Sequence, residues 1–167
     1  VLALDLYDGK IATTAEEASR LVQTVDNNRA RNIIRGALTR AGGKAQIATL
    51  GWCFGGGWSL QAALLAGKQT VGCVMYYGMP EKDVAKLKTL NTDVLGLFAR
   101  QDDHISPAVV KQFQADMKKA GKQLTVHSFD AVHAFANPSN PKYDAKAATQ
   151  ANTIALNYLL KKFKLKA

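Results

Sequence analysis

The stretch Gly51-Trp52-Cys53-Phe54-Gly55-Gly56-Gly57 decides how this chain is read. A short apolar run over residues 46–50 leads into it, and a helix-spaced apolar run over 59–65 leads out of it. One reactive side chain, the Cys53 thiol, stands between glycines placed two residues to either side. A sharp strand-to-helix turn that presents a nucleophile needs small neighbours at those places, because larger side chains would collide there. Such a turn also aims backbone N–H groups at its nucleophile, which makes the Phe54 N–H the candidate oxyanion donor. The helix N-terminus favours the thiolate, the attacking form of cysteine. The competing reading of Cys53, a small buried hydrophobe at a tight turn, is the weaker one in this strand-turn-helix setting.

Working outward, strands and helices alternate. Residues 1–6 form an apolar run closed by Asp8-Gly9, expected as a strand ending in a turn. Thr13 or Thr14 followed by Glu16-Glu17 marks a helix start, and Ala18, Leu21, Val22 and Val25 recur at helical spacing. A second amphipathic helix is expected over 31–40, stopping at Gly42-Gly43. Beyond the glycine-rich turn, residues 71–77 read as a strand buried on both faces, ended by Gly78-Met79-Pro80. Another buried strand is expected over 94–99, then a polar loop over 100–107 and a helix over 108–120 stopped by Gly121. A last strand over 124–129, a loop carrying His133, and a long helix over 143–163 complete the chain. This alternation predicts an α/β fold, a mostly parallel sheet flanked by helices on both faces, as a single domain over 1–167.

Composition excludes several classes. With 167 residues, 47% hydrophobic and 21% charged, disorder and repeat architectures are poor readings. No apolar stretch approaches the roughly 20 residues that span a bilayer, so no membrane association is expected. The formal net charge is +9, but the cations are dispersed, and the densest cluster, Lys161-Lys162-Phe163-Lys164-Leu165-Lys166, reads as a solvated helix end. No nucleic-acid partner is expected, although a basic surface can steer anionic substrates. Two cysteines, Cys53 and Cys73, make neither a disulfide framework nor a pattern with metal spacing, so no metal and no cofactor is expected. The first residues lack the charged start and long apolar core of a signal peptide. Starting on Val1 rather than Met, they read as a strand entered in mid-protein, with natural sequence expected upstream. A cytoplasmic location is expected, with the periplasm as the alternative.

In a parallel sheet, reactive groups belong at the carboxyl ends of strands. Cys53, the Asp102-Asp103 pair and His133 fall there. His133 is preferred as the base because it follows the last strand in a loop from which it can reach both nucleophile and carboxylate. His127 lies inside the alternating strand pattern, and His104 shares a loop with the two aspartates, where it can serve as a local partner or line the pocket. Asp102 and Asp103 are not separable by spacing. Cys73, within an apolar run and with no adjacent polar residue, reads as inert core, and Trp58, Tyr77 and Phe135 read more readily as core than as pocket walls.

Four segments, Asp5-Leu6-Tyr7, the glycine-rich turn around Cys53, residues 99–107 and His133-Ala134-Phe135-Ala136-Asn137, together resemble the dienelactone hydrolase family, a branch of the α/β-hydrolases, in the family's order across nearly the whole chain. The resemblance implies a Cys53-His133-Asp102 triad, since the family's acid sits in a small-x-x-Asp-x-x-(Val/Ile)-x-Pro loop that lands on Asp102. It implies a hydrolase of carboxylic esters or lactones that works through a thioester on Cys53, with a small-molecule substrate and a monomeric or homodimeric state. It further implies that the fold is N-terminally incomplete here. The absent strands would supply a second oxyanion donor and a glutamate facing the resting cysteine, and were the 167 residues the whole protein, the sheet would show a gap or a changed order where the family's third strand belongs. Dienelactone specialists are expected to grip the substrate carboxylate with arginines where this chain has Lys10 and Asn137, which points to a broader esterase, with Lys10 or Arg100 as substitute charges. The alternatives are hydrolysis of activated phosphate esters or thioesters on the same triad, and a non-catalytic α/β-hydrolase-fold binding protein.

Overall fold

The computed structural model describes residues 1–165, and the chain divides into two compact units, residues 1–45 and 46–167. In the first unit, Thr14 caps helix α1 (Ala15–Thr24) by accepting from the Glu17 N–H, while the Glu17 carboxylate reaches back to the cap backbone. Helix α2 (Asn27–Ala41) starts earlier than its apolar spacing predicts, because Asp26 caps it through the Arg29 N–H, and it ends at Gly42 with φ of 87°. The apolar run over 1–6 is not a strand, contrary to expectation: it belongs to no ladder, and Val1 and Leu2 are exposed. Strand propensity is realised only where a neighbouring strand pairs with it.

The second unit contains strands β1 (Ile47–Trp52), β2 (Thr70–Tyr76), β3 (Val94–Gln101) and β4 (Leu124–Val132), all parallel, in the order β1-β2-β3-β4. Neighbouring strands pair throughout, so this sheet has no gap among the described residues. Between the strands run helices α3 (Phe54–Ala66), α4 (Val84–Leu87) and α5 (Pro107–Lys119), and α6 (Ala145–Lys162) follows β4. Helix α3 begins directly after Cys53 and not near residue 59, so the glycines of the turn form its first turn.

Strand alternation sorts side chains into two cores. Cys73, Met75, Val94 and Phe98 face Leu60 and Ala63 of α3 and Val110, Phe113 and Met117 of α5. Val74, Tyr76, Leu95, Leu97 and Ala99 face Ala147, Ala151 and Ala155 of α6. With both faces covered, β2 and most of β3 are buried, which is why they read as unbroken apolar runs. At the other end of the sheet, the Tyr158 hydroxyl accepts from the Cys73 N–H and donates to Asp93, and Lys162 pairs with the same carboxylate. The basic cluster thus includes a structural tie in Lys162, while its Lys166 lies outside the described residues.

Because the strands are parallel, their carboxyl ends share one edge, and that edge carries Cys53, Asp102 and His133. The β3–β4 ladder also shifts register there: Ala99 pairs with Phe129, but Gln101 pairs with Val132. The extra residue on β4 is a bulge, which bends the strand and re-aims the side chains at its carboxyl end. His133 is the first residue beyond that end.

Candidate active site

The turn after β1 is built on backbone contact. A Cβ on Gly51 would stand 2.0 Å from the Gly55 carbonyl oxygen, so only glycine fits. A Cβ on Gly55 would meet nothing within 4 Å, which corrects the symmetric expectation for the two glycines. Further on, Gly56 and Gly78 are pressed together, since a Cβ on Gly78 would lie 2.4 Å from the Gly56 backbone. Helix α3 is thereby seated on the end of β2. Cys53 takes φ of 53°, a left-handed conformation that a non-glycine residue adopts only under constraint. Its N–H donates to the Tyr76 carbonyl at 3.0 Å, and its own carbonyl accepts from Gly56 and Gly57.

This geometry leaves the Cys53 thiol exposed, 3.2 Å from His133 Nε2. His133 Nδ1 lies 2.7 Å from Asp102 Oδ2. The other oxygen, Asp102 Oδ1, accepts from the His104 and Ile105 N–H groups, each at 2.8 Å, so the buried carboxylate is held on both sides. Asp103 is exposed, so the structure brings Asp102 to the histidine and leaves Asp103 facing solvent. Phe54 N–H acts on the Cys53 sulfur, at the start of α3.

Two shifts arise from these contacts. The hydrogen bond with Cys53, resisted by burial and helped by Asp102, pushes His133 up from 6.5 to about 9. The bond to His133 in turn draws the Cys53 thiol below its ordinary 9.0, against the opposing effect of burial. The two shifts are coupled, since each group favours the charged form of the other.

The other candidates lie elsewhere. His127 sits half-buried on β4, paired in register with Leu97. His104 is exposed, with its ring 5.2 Å from that of His133. Cys73 is fully buried in β2; no polar residue adjoins it in sequence, but the fold brings Ser59 Oγ, which also donates to the Val74 carbonyl, to 3.6 Å from its sulfur. Burial pushes this thiol up to about 11. Asn137 is exposed, its side-chain oxygen accepting from the Ser139 N–H, and Arg100 is also exposed. Trp58 is half-buried, and Tyr77 and Phe135 are core. Tyr77 is nevertheless in contact with the site, its ring 5.1 Å from that of His133. No signal in the sequence distinguishes it from its core neighbours. A surface hollow of about 600 Å³ is lined by Gln101, Val132, Lys142 and Asp144 rather than by Cys53, His133 and Asp102.

Among the described residues, no group of three or more His, Cys, Asp or Glu side chains is placed to hold a metal ion, and no helix is long and apolar enough to cross a membrane.

The model of the dienelactone hydrolase family matches residues 1–163. The chain belongs to this family. A carboxymethylenebutenolidase of Pseudomonas putida is 31% identical over 164 residues, covering 94% of this chain and 66% of that protein. Another, from Pseudomonas sp. strain P51, is 29% identical over 114 residues, 68% of this chain and 47% of that protein. The chain thus spans about half to two thirds of the length of these dienelactone hydrolase relatives. Among solved structures, a dienelactone hydrolase-like promiscuous phosphotriesterase from metagenomic libraries superposes with a TM-score of 0.76 at 21% identity, covering 92% of this chain and 70% of that one. An α/β hydrolase from a Medee basin deep-sea metagenome library gives 0.64 at 14% identity, covering 85% of this chain and 66% of that one. These likenesses establish the α/β-hydrolase fold.

Proposed function

We propose that this dienelactone hydrolase family member hydrolyses carboxylic esters or lactones through a Cys53-His133-Asp102 triad and a thioester intermediate. The observation that carries the reading is the unbroken line from Cys53 Sγ through His133 to the buried Asp102 carboxylate, at 3.2 Å and 2.7 Å. The family and its carboxymethylenebutenolidase members supply the substrate class.

In this mechanism the thiolate attacks the carbonyl carbon, and the π electron pair moves to oxygen, where the Phe54 N–H stabilises it. Collapse breaks the C–O bond. The leaving alkoxide takes the proton from His133 Nε2, and the acyl group remains on sulfur. His133, now neutral, removes a proton from water as it attacks the thioester, and cleavage of the C–S bond releases the acid and restores the thiolate. Asp102 keeps the Nδ1 proton directed at itself and stabilises the imidazolium. With Asn137 engaged in its own turn, no arginine clamp faces the histidine loop from that position, which favours simple esters over a dienelactone specialist.

Hydrolysis of p-nitrophenyl acetate tests the reading. The parent is expected to turn it over, and Cys53→Ala to lose on the order of 10³-fold or more in kcat. An equally active alanine variant would show that another group attacks.

A further inference from the structure

Tyr77 follows β2 directly, and its N–H extends the ladder by donating to the Leu97 carbonyl at 2.8 Å. Strand alternation would send its side chain to the face opposite Tyr76, beside Met75. Instead both tyrosines lie in the core under α6, with their rings 6.2 Å apart. The cause is the backbone: Tyr77 has φ of 35°, an uncommon value for a bulky aromatic residue. The strained turn carries the Tyr77 ring beneath the loop that bears His133. There it meets the His133 ring at 5.1 Å and 63°, and the Phe135 ring at 5.2 Å and 67°.

His133 stands in a short turn whose next residue, Ala134, also has positive φ, at 63°. The groups around its ring are Cys53, Asp102, His104 and Tyr77. Cys53 and Asp102 are hydrogen-bonded to its two nitrogens, and His104 is exposed, so Tyr77, at 1% exposure, is the buried non-bonding wall. The Tyr77 hydroxyl is buried without a well-formed hydrogen bond, although the Ala136 N–H is near enough to act on it. An unpaired buried hydroxyl is a liability for folding, so the contribution to the site belongs to the ring.

We infer that Tyr77 is a positioning residue for the base: its ring, forced onto the α6 side of the sheet by a left-handed turn, fixes the His133 imidazole between Cys53 and Asp102. This rests on the proposed triad. The test is the pH dependence of Cys53 alkylation by iodoacetamide, followed by peptide mass alongside p-nitrophenyl acetate kinetics. Tyr77→Phe is expected to match the parent in both. Tyr77→Leu and Tyr77→Met are expected to move the thiol's apparent pKa back toward the ordinary value and to lower kcat about 10- to 100-fold, with KM within about twofold. Folded Leu or Met variants with the parent's profile and kcat would overturn the inference. So would a Phe variant that loses the parent's profile, and that variant carries the test if the truncations fail to fold. A parent whose Cys53 reacts like an ordinary thiol would overturn the triad and the inference together.

Discussion

The two cysteines lie on consecutive strands, one at the carboxyl end of β1 and one inside β2, and their chemistry has opposite sign. Cys53 is exposed beside an imidazole, and its pKa falls; Cys73 is enclosed by the sheet and α3, and its pKa rises to about 11. Both have a polar neighbour, His133 in one case and Ser59 in the other. What separates them is the balance with burial: at Cys73 burial outweighs the hydroxyl contacts, whereas at Cys53 the bond to a histidine, which can carry a positive charge, outweighs burial. Reactivity is therefore a property of the turn and of the loop opposite it, not of the thiol.

The strongest way to break this comparison is to disable the support of the imidazole. Asp102→Asn removes the acceptor that fixes the His133 tautomer and is expected to lower kcat by about 10²- to 10⁴-fold in ester hydrolysis. Asp103→Asn, at an exposed neighbour, should stay within about twofold. Equal losses in the two would show that the loop, and not the carboxylate facing His133, matters.

The elbow offers the next contrast. Gly51→Ala drives a Cβ into the Gly55 backbone and is expected to cost more than about 3 kcal/mol of stability, whereas Gly55→Ala, facing open space, should cost under about 1 kcal/mol. Urea titrations of the two variants compare them directly. A similar midpoint for both would mean that the turn relaxes freely.

The pH profile sharpens the contrast further. The ion pair requires Cys53 deprotonated and His133 protonated, so kcat/KM should rise on the acid side as a thiol below 9.0 ionises, and fall above about 9 as His133 loses its raised proton. A profile that keeps climbing through pH 10 would argue for an ordinary thiol (roughly 8.5 unperturbed) and hydroxide chemistry. Smallest of all is Cys73→Ala, for which activity within about twofold and a loss of about 1 kcal/mol are expected from urea titration of the folded protein.

Much of this arrangement was legible in the sequence. Glycines around Cys53, apolar runs of strand length and positions just past them identify the edge on which Cys53, Asp102 and His133 meet, because a parallel sheet brings successive carboxyl ends together. Spacing alone did not separate Asp102 from Asp103, since the choice depends on which carboxylate turns inward, and the family resemblance pointed to Asp102. The strand expected over 1–6 failed because an apolar run encodes burial and not a pairing partner. Tyr77 was hidden for a related reason: its proximity to His133 depends on one reversed φ, 56 residues away in sequence. Ser59 beside Cys73 is likewise a contact between a helix and a strand that no local pattern contains.

The most direct test of the nucleophile is to catch the acyl group. Rapid acid quench during the first turnover of a p-nitrophenyl ester, with peptide mapping of the quenched protein, should find one acyl group on the peptide carrying Cys53, appearing as fast as p-nitrophenol is released. An acyl group on Ser59 or any other residue, or turnover with no acylated peptide, would contradict the account.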